Sequence, residues 1–585
     1  MTTGEQVLGW PGLCAFKDPD QVLNDNFQFF KSTLHDCVKN HTSTCGQAGG
    51  TVLPRRLLDV GTGDGDVIKL VESYLLGSGA QKYAAVSHRW GDPKLMFMTL
   101  RRNFNDRLHG IDEEGMPGVL QDAIKVTRGL GLRYLWMDTV CLIQDDEADK
   151  GKEIPKMGDY YANAFFTIAA SSSKNSTVPF INRRSLYYIP HRFPFGEDGN
   201  SGVHVRRLGV EGHLAKRVRS VNINDVHIKK LTMTHSQGWI WQESALSVRV
   251  LNFAPSELIW ECRQEVKSEC EYEPQTLPSL GLARKYHNVK EQPFELWQEL
   301  VQSYSARNLG YFNDLLPAIS GLAKRVQDQT GSRYFAGIWE EKLVPSLLWE
   351  VTRGFDRFAE PLPKVPNPID PTTQVPKKCM APSWSWASIE GWVRTSDKSM
   401  GNSSKPAGYR GSGGSVAFDR SFAAMTPDVS NVSVEDAIPL MRDNPLGEVT
   451  GGIIRLHGRL VSADLTCTRK VTTGLTYFVK FPGERGLRTR ISADAELELF
   501  PRPGLWAPFR TVRRSNDVPR AEFSVTVHCL LVAQGPAVPG RGATHDGLVL
   551  GRSEDNNGYF KRIGYFSVLD SSCFAGVRHQ PVTII

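Results

Sequence analysis

The spacing of apolar positions sets α/β order between Leu57 and about Ala170, where short apolar runs alternate with stretches at helical spacing. YAAVS (83–87) is short and apolar and stops ahead of a Gly-Asp-Pro turn, the pattern of a buried strand. Residues 94–109 are polar and amphipathic and predict a helix. Val119, Leu120, Ala123, Ile124, Val126 and Leu130 recur at helical spacing, with Gly131 placed for a left-handed C-cap. YLWM (134–137) predicts a second strand. Ile154, Met157, Tyr161 and Ala164 form one stripe of a helix over 153–164, in which Pro155 is tolerable only in the first turn. FFTIAA (165–170) predicts a third strand. This order is that of a parallel sheet with right-handed crossovers.

The flanking regions read differently. Residues 1 to about 50 are polar and weakly periodic, a leader with one helical piece near 21–37. The stretch 239–349 mixes strands (VRVLNF, LIWEC) with helices over 295–304 and 315–327. Residues 361–376 hold six prolines, which predicts a stiff extended segment. Residues 396–415 are rich in Gly and Ser and predict a loop. From Gly452 onward the runs IIRLHGRLV, LTYFVKF, AELELF, FSVTVHCLLVA, GLVLG and IGYFSVL predict a mostly β module. No internal repeat is visible. The resulting division is a leader (1–55), an α/β domain (56–250), a mixed region with the proline-rich segment (251–395), a Gly/Ser-rich linker (396–449) and a β-rich module (450–585).

Composition narrows the class. The chain has 585 residues, 40% hydrophobic and 23% charged, which is ordinary globular usage and suits several domains. Its 69 basic and 63 acidic residues leave +6, too diffuse to predict a nucleic-acid partner. MTTGEQVLGWPGLC lacks a basic leader followed by an apolar stretch, so no secretory signal is expected, and no run is long enough to predict a membrane span. Ten cysteines without a C-x-x-C pair predict free thiols in a reducing compartment, hence a cytoplasmic protein.

Several motifs carry candidate chemistry. LLDVGTGDGD (57–66) is a strand followed by G-x-G-x-G, through Gly61, Gly63 and Gly65, as in folds that cradle S-adenosylmethionine; its plainer reading is a glycine-rich turn on an edge strand. A dinucleotide site would want an acid after the next strand, and here Ser87-His88-Arg89 stand instead. Arg89, followed by Trp90, ends the first strong strand, where α/β sheets bind ligands, and could hold a phosphate or carboxylate or pair with a neighbouring acid. Asp138, Cys141, Gln144, Asp145 and Asp146 follow the second strand; their spacing is not that of a calcium loop, and Cys141 has no evident base nearby. Glu153 begins the next helix, where a carboxylate could favour an oxocarbenium-like state in glycosidic-bond cleavage or act as first-turn capping. Trp239, Trp241, Trp260, Trp384 and Trp386 are core or interface anchors. Glu243 and Glu261 lie beside such aromatics, with partners the sequence does not name.

YAAVSHRWGD (83–92), VLQDAIKVTRGLGLRYLWMDTVCLIQDD (119–146) and EIPKMGDYYANAFFTIAASSS (153–173) resemble the three blocks of the fungal heterokaryon-incompatibility (HET) domain. GWIWQESALSVRVL, LIWECR, DLLPAISGLA, APSWSWAS and GLVLGRSEDNNGYFKRIGYF extend the resemblance along most of the chain. It implies a fungal non-self-recognition and cell-death effector, working through self-association or another incompatibility protein. It also implies a TIR-like, flavodoxin-like α/β core over roughly 83–245. Some TIR domains cleave NAD at the nicotinamide–ribose bond with a helix-borne glutamate, so NAD is a candidate substrate, with no cofactor and no metal required. Glu153 takes that catalytic place in the family's D-W-x-x-E pattern, with Arg89, Trp90 and Asp138 on the substrate. Lys150 stands where the family usually has Trp. The competing readings are a signalling scaffold with a degenerate pocket and, further off, an S-adenosylmethionine-dependent methyltransferase.

Overall fold

A computed structural model gives the fold. It describes residues 22–46, 52–181 (except 64 and 78–80), 191–195, 201–205, 238–268 (except 256–257), 287, 292–351 (except 306, 308 and 310–313), 381–389, 393–394, 428–494 (except 442–443, 448, 471–473 and 484–487), 496–499, 509–512, 523–538, 542–553 and 558–585 (except 570). The proline-rich 361–376 and the Gly/Ser-rich 396–415 lie outside the described residues. The chain divides into two compact units, one on Met1–Val289 and one on Lys290–Ser403 and Gly408–Ile585.

In the first unit each apolar run becomes a strand: β1 Arg56–Asp59, β2 Lys69–Glu72, β3 Tyr83–Ser87, β4 Tyr134–Trp136, β5 Phe166–Ala169, β6 Arg249–Phe253, β7 Leu258–Cys262 and β8 Val266–Ser268. They form one sheet in the order β8-β7-β6-β5-β3-β4-β1-β2. Its centre, β4-β3-β5-β6, is parallel, while β1, β2, β7 and β8 extend it antiparallel. Numbered by their own succession, the parallel strands stand in the order 2-1-3-4. Every residue of β3, β4, β5 and β6 is buried, as expected for strands covered on both faces.

The helices are α1 Val22–Asn40, α2 Thr42–Cys45, α3 Phe104–His109, α4 Gly118–Gly129, α5 Asp138–Cys141, α6 Glu147–Glu153, α7 Met157–Asn163 and α8 Gly238–Leu246. In α4 the predicted stripe of Val119, Leu120, Ala123, Ile124 and Val126 is buried, and Gly131 takes φ +80° just beyond its end. Pro155 falls in a single 3₁₀ turn, Ile154–Lys156, between α6 and α7, where its missing N–H does no harm. The helix expected over 94–109 is instead two 3₁₀ turns and the short α3. The backbone of Thr99 is engaged elsewhere: its N–H donates to Thr139 O and its carbonyl accepts from Gln144 N, which holds this stretch extended.

In the second unit α9 (Pro293–Ser305) and α10 (Ser320–Thr330) pack beside buried tryptophans. The indoles of Trp297 and Trp386 both donate to Gly337 O, at 2.9 and 3.0 Å. The β-rich part is built on β9 Val449–Lys470, β10 Phe523–Val538, β11 Gly542–Arg552, β12 Tyr559–Val568 and β13 His579–Ile584. Pairing runs β9-β10-β11-β12-β13 and back to β9, so this ring of strands closes on itself. Leu465, Val479, Val527, Cys529, Val549 and Phe566 fill its core. Closure leaves no free edge along that ring.

Candidate functional site

Parallel register brings the carboxyl ends of the central strands level: Ser87 pairs with Ala169, and Ala169 with Asn252. The loops leaving those ends meet above them. After β3 come His88, Arg89 and Trp90, and then Gly91, whose φ of +91° turns the chain; a side chain there would run into Asn175 Cβ at 2.6 Å. Ser176 N donates to Trp90 O, tying the β3 loop to the loop after β5. After β4, Asp138 opens α5. From behind, α8 presents Glu243, its place fixed by the Ser247 hydroxyl bonding to Glu243 O and to Thr167 Oγ1 of β5.

Of these groups His88, Asp138 and Glu243 are buried, while Arg89 is half-buried and Trp90 exposed. Asp138 accepts from its neighbour Thr139 N at 2.7 Å through Oδ1 and from Trp90 Nε1 at 2.7 Å through Oδ2. His88 Nδ1 faces Asp138 Oδ1 at 4.0 Å. Burial lowers the His88 pKa against the pull of Asp138, so the imidazole is neutral. Burial, with Asp138 adding to it, pushes the Glu243 carboxyl up to about 8, although the hydroxyls of Ser87 and Tyr161 beside it act the other way. Neither hydroxyl meets full hydrogen-bond geometry toward the orphaned oxygen of Glu243, and Tyr161 gives its proton to Val86 O.

Four buried atoms here lack a hydrogen-bond partner among the described residues: Ser87 Oγ, His88 Nε2, Glu243 Oε2 and Asn252 Oδ1. Buried polar groups are nearly always satisfied, so these atoms at the strand ends are departures from the rule. Arg89 is half-buried, its guanidinium disfavoured by desolvation, and among the described residues it has no ion-pair partner.

The residues singled out from sequence divide into two sets. Trp90 and Asp138 are joined directly. Glu153 is buried, its Oε2 accepting from Tyr160 OH at 2.7 Å and its Oε1 facing Lys156 Nζ at 3.6 Å. It also does not begin a helix. Asp146 is the N-cap of α6, accepting from Ala148 N and Asp149 N, and Glu153 is the last residue of α6. Lys150, at the position of the family Trp, pairs with exposed Glu147 at 2.7 Å. Asp149 of the same motif is a buried anchor, paired with Arg56 and accepting from Ile143 N at 3.0 Å.

Two further readings are corrected. The glycine run after β1 leads into β2 and closes a hairpin, without the helix that a nucleotide cradle needs, and β2, not β1, is the edge. Asp66 Oδ2 already takes the N–H groups of Thr62 and Gly63, at 2.7 and 3.1 Å, that such a cradle would offer. This removes the S-adenosylmethionine reading of Gly61, Gly63 and Gly65. Burial pushes the Cys141 thiol up to about 12, which makes it a poor nucleophile.

Residues 83–243 match the family model described as Heterokaryon incompatibility protein (HET), a span holding β3 to β5, Asp138 and Glu243. No curated protein and no solved structure matches the chain.

Proposed function

The chain carries a HET domain, which points to a heterokaryon-incompatibility-related function, and from that premise we propose a cell-death effector that hydrolyses NAD at the nicotinamide–ribose bond when it self-associates. The observation that carries the reading is the buried group of Asp138, His88, Glu243 and Ser87 at the strand ends, in which His88, Glu243 and Ser87 each carry an orphaned polar atom. The 2-1-3-4 order of the parallel strands supports a flavodoxin-like, TIR-like core, and that order places ligands between its first and third strands, here β3 and β5.

In this reading Arg89 contacts the pyrophosphate. Asp138, held by two donors, is the fixed anion that favours the ribosyl cation as nicotinamide leaves with the bonding electron pair. Glu243 takes the proton of the attacking water, a role suited by a pKa near the working pH. Glu153, which the resemblance casts as the carboxylate, lies against Tyr160 and Lys156, while Asp138 and Glu243 act on each other, so this reading takes Asp138 and Glu243 as the pair.

The test is nicotinamide release from NAD by concentrated full-length protein and by Asp138→Asn, Glu243→Gln and Glu153→Gln. The expected result is release by the wild type, with losses of about 100-fold or more in the first two variants. Loss in Glu153→Gln alone would return the role to that residue. No release from any assembled state would leave a signalling domain that acts through contacts.

A further inference from the structure

We propose that Cys37, His41, Cys45 and Cys262 form a structural zinc site that fastens the N-terminal helices to the sheet. The ligating atoms of all four lie within 4.8 Å of one another. The cysteines are buried free thiols and His41 is half-buried. Three thiolates and one imidazole are a donor set that soft-to-borderline ions choose, zinc first among them in structural sites.

The cluster is assembled from two distant places in the chain. Cys37, His41 and Cys45 recur every four residues along α1 and α2, which sets them on one side of the helical segment. Cys262 ends β7, paired with Arg249 at the amino end of β6. Around tetrahedral zinc, a thiolate and an imidazole sit about 3.6 Å apart, given bonds of about 2.3 and 2.0 Å. Cys262 Sγ and His41 Nδ1 stand at 3.6 Å.

The surroundings suit a thiolate-rich centre. Donors already point at the sulfurs: Arg249 Nε to Cys37 Sγ at 3.2 Å and Glu265 N to Cys262 Sγ at 3.4 Å. Such outer contacts orient ligands and tune a metal. A dication with three thiolates carries a net negative charge, and the buried Arg249 guanidinium offsets it. The acids beside His41 are not needed as ligands, since Lys267 Nζ pairs with both Asp36 (3.0 Å) and Glu265 (2.7 Å). All four positions are protein ligands, which leaves no open place for substrate and makes the site structural. Binding would release the three thiol protons to solvent. Its consequence is that α1, outside the matched family span, is locked to β7, beside the contact that Phe30 of α1 already makes with Phe253 of β6, rings tilted at 5.2 Å between centroids.

The experiment is metal analysis of full-length protein purified without chelator. It is paired with Cys262→Ser, Cys37→Ser and, as a control in the other unit, Cys573→Ser. About one zinc per chain is expected in the wild type and in Cys573→Ser, falling to a small fraction in the other two. Cobalt added to the demetallated wild type should give the intense visible bands of a tetrahedral thiolate centre. The wild-type measurements stand even if a cysteine variant fails to fold. A folded wild type that stays free of zinc after incubation with excess ion would overturn the proposal, as would a disulfide within the cluster or iron or copper in place of zinc.

Discussion

Replacing Glu243 with glutamine should stabilise the first unit, and should do so only where the wild-type carboxyl is asked to ionise. The carboxyl is fully buried and its pKa stands at about 8 against an ordinary 4.5. The folded state therefore binds the proton more tightly than the unfolded chain. At low pH both states hold it and nothing is lost. As pH rises past the unfolded value the unfolded chain gives up its proton while the folded protein keeps it, so stability falls, and the fall levels off above the folded value. At about 1.4 kcal/mol per pH unit, the separation amounts to about 5 kcal/mol once ionisation is complete, and to about 3 kcal/mol near pH 7. Glutamine fills nearly the same volume and never ionises.

The variant should thus match wild type near pH ~5, exceed it by about 3 kcal/mol near pH ~7 and by about 5 kcal/mol above pH ~9. Amide exchange of peptides covering β3 and β5 reports the opening of this unit separately from the other. A gain that is the same at every pH, or a loss that grows with pH, would refute the reasoning. Either result would mean the carboxylate is satisfied by something other than the groups around it. The same titration predicts that hydrolysis of NAD, if Glu243 is the base, rises with pH up to about 8.

Asp149→Asn should destabilise by about 3–5 kcal/mol, because it strands the Arg56 guanidinium, 1% exposed, without its counter-ion; chemical unfolding measures it. Gly547→Ala should cost about 1–3 kcal/mol in the β-rich unit, since a Cβ there would meet Leu530 O at 2.2 Å and the Phe566 ring at 2.5 Å. Trp90→Phe keeps the ring but removes the donor to Asp138 at 2.7 Å, a loss of about 1.5–3 kcal/mol in whatever that carboxylate stabilises. Its signature is a lower turnover with little change in melting temperature, and an unchanged turnover would separate Trp90 from the site.

The central strands were legible in sequence because fully buried strands read as uninterrupted apolar runs; YAAVS, YLWM and FFTIAA carry no competing pattern. Helix α4 was legible through its stripe and Gly131. The failures have local causes. Residues 94–109 have helical composition, but the Thr99 pairing with Thr139 and Gln144, made across the fold, overrides it. The glycine run reads the same before a helix as before a hairpin, and only the pairing of Asp59 with Lys69 decides. Trp90 and Asp138 were singled out through the family resemblance, and the structure joins them by a hydrogen bond at 2.7 Å. Glu243 was noticed beside aromatics, yet its meeting with Asp138 and Ser87 needs α8 folded over β3, which no spacing encodes. The cysteine cluster was half legible, in the C-x₃-H-x₃-C run of 37–45, and lacked its fourth member 217 residues downstream.

The treatment of other buried acids in this same unit gives the strand-end cluster its weight. Asp149 has Arg56 and Ile143 N. Asp122 accepts from Phe180 N and Ile181 N, both at 2.8 Å. Asp59 is held by Arg133 through two bonds at 2.8 Å. Even Glu153 has Tyr160 and Lys156. The sequence thus supplies partners for buried carboxylates wherever they serve packing. Glu243 is the contrary case: its Oε2 is orphaned, and so is the hydroxyl of Ser87 beside it. Local rules broken at a strand end are what the proposed site requires, since a group kept for function is held at the expense of stability. Stabilisation by Glu243→Gln would therefore confirm the pKa and show, in the same measurement, what the fold gives up to hold that group in place.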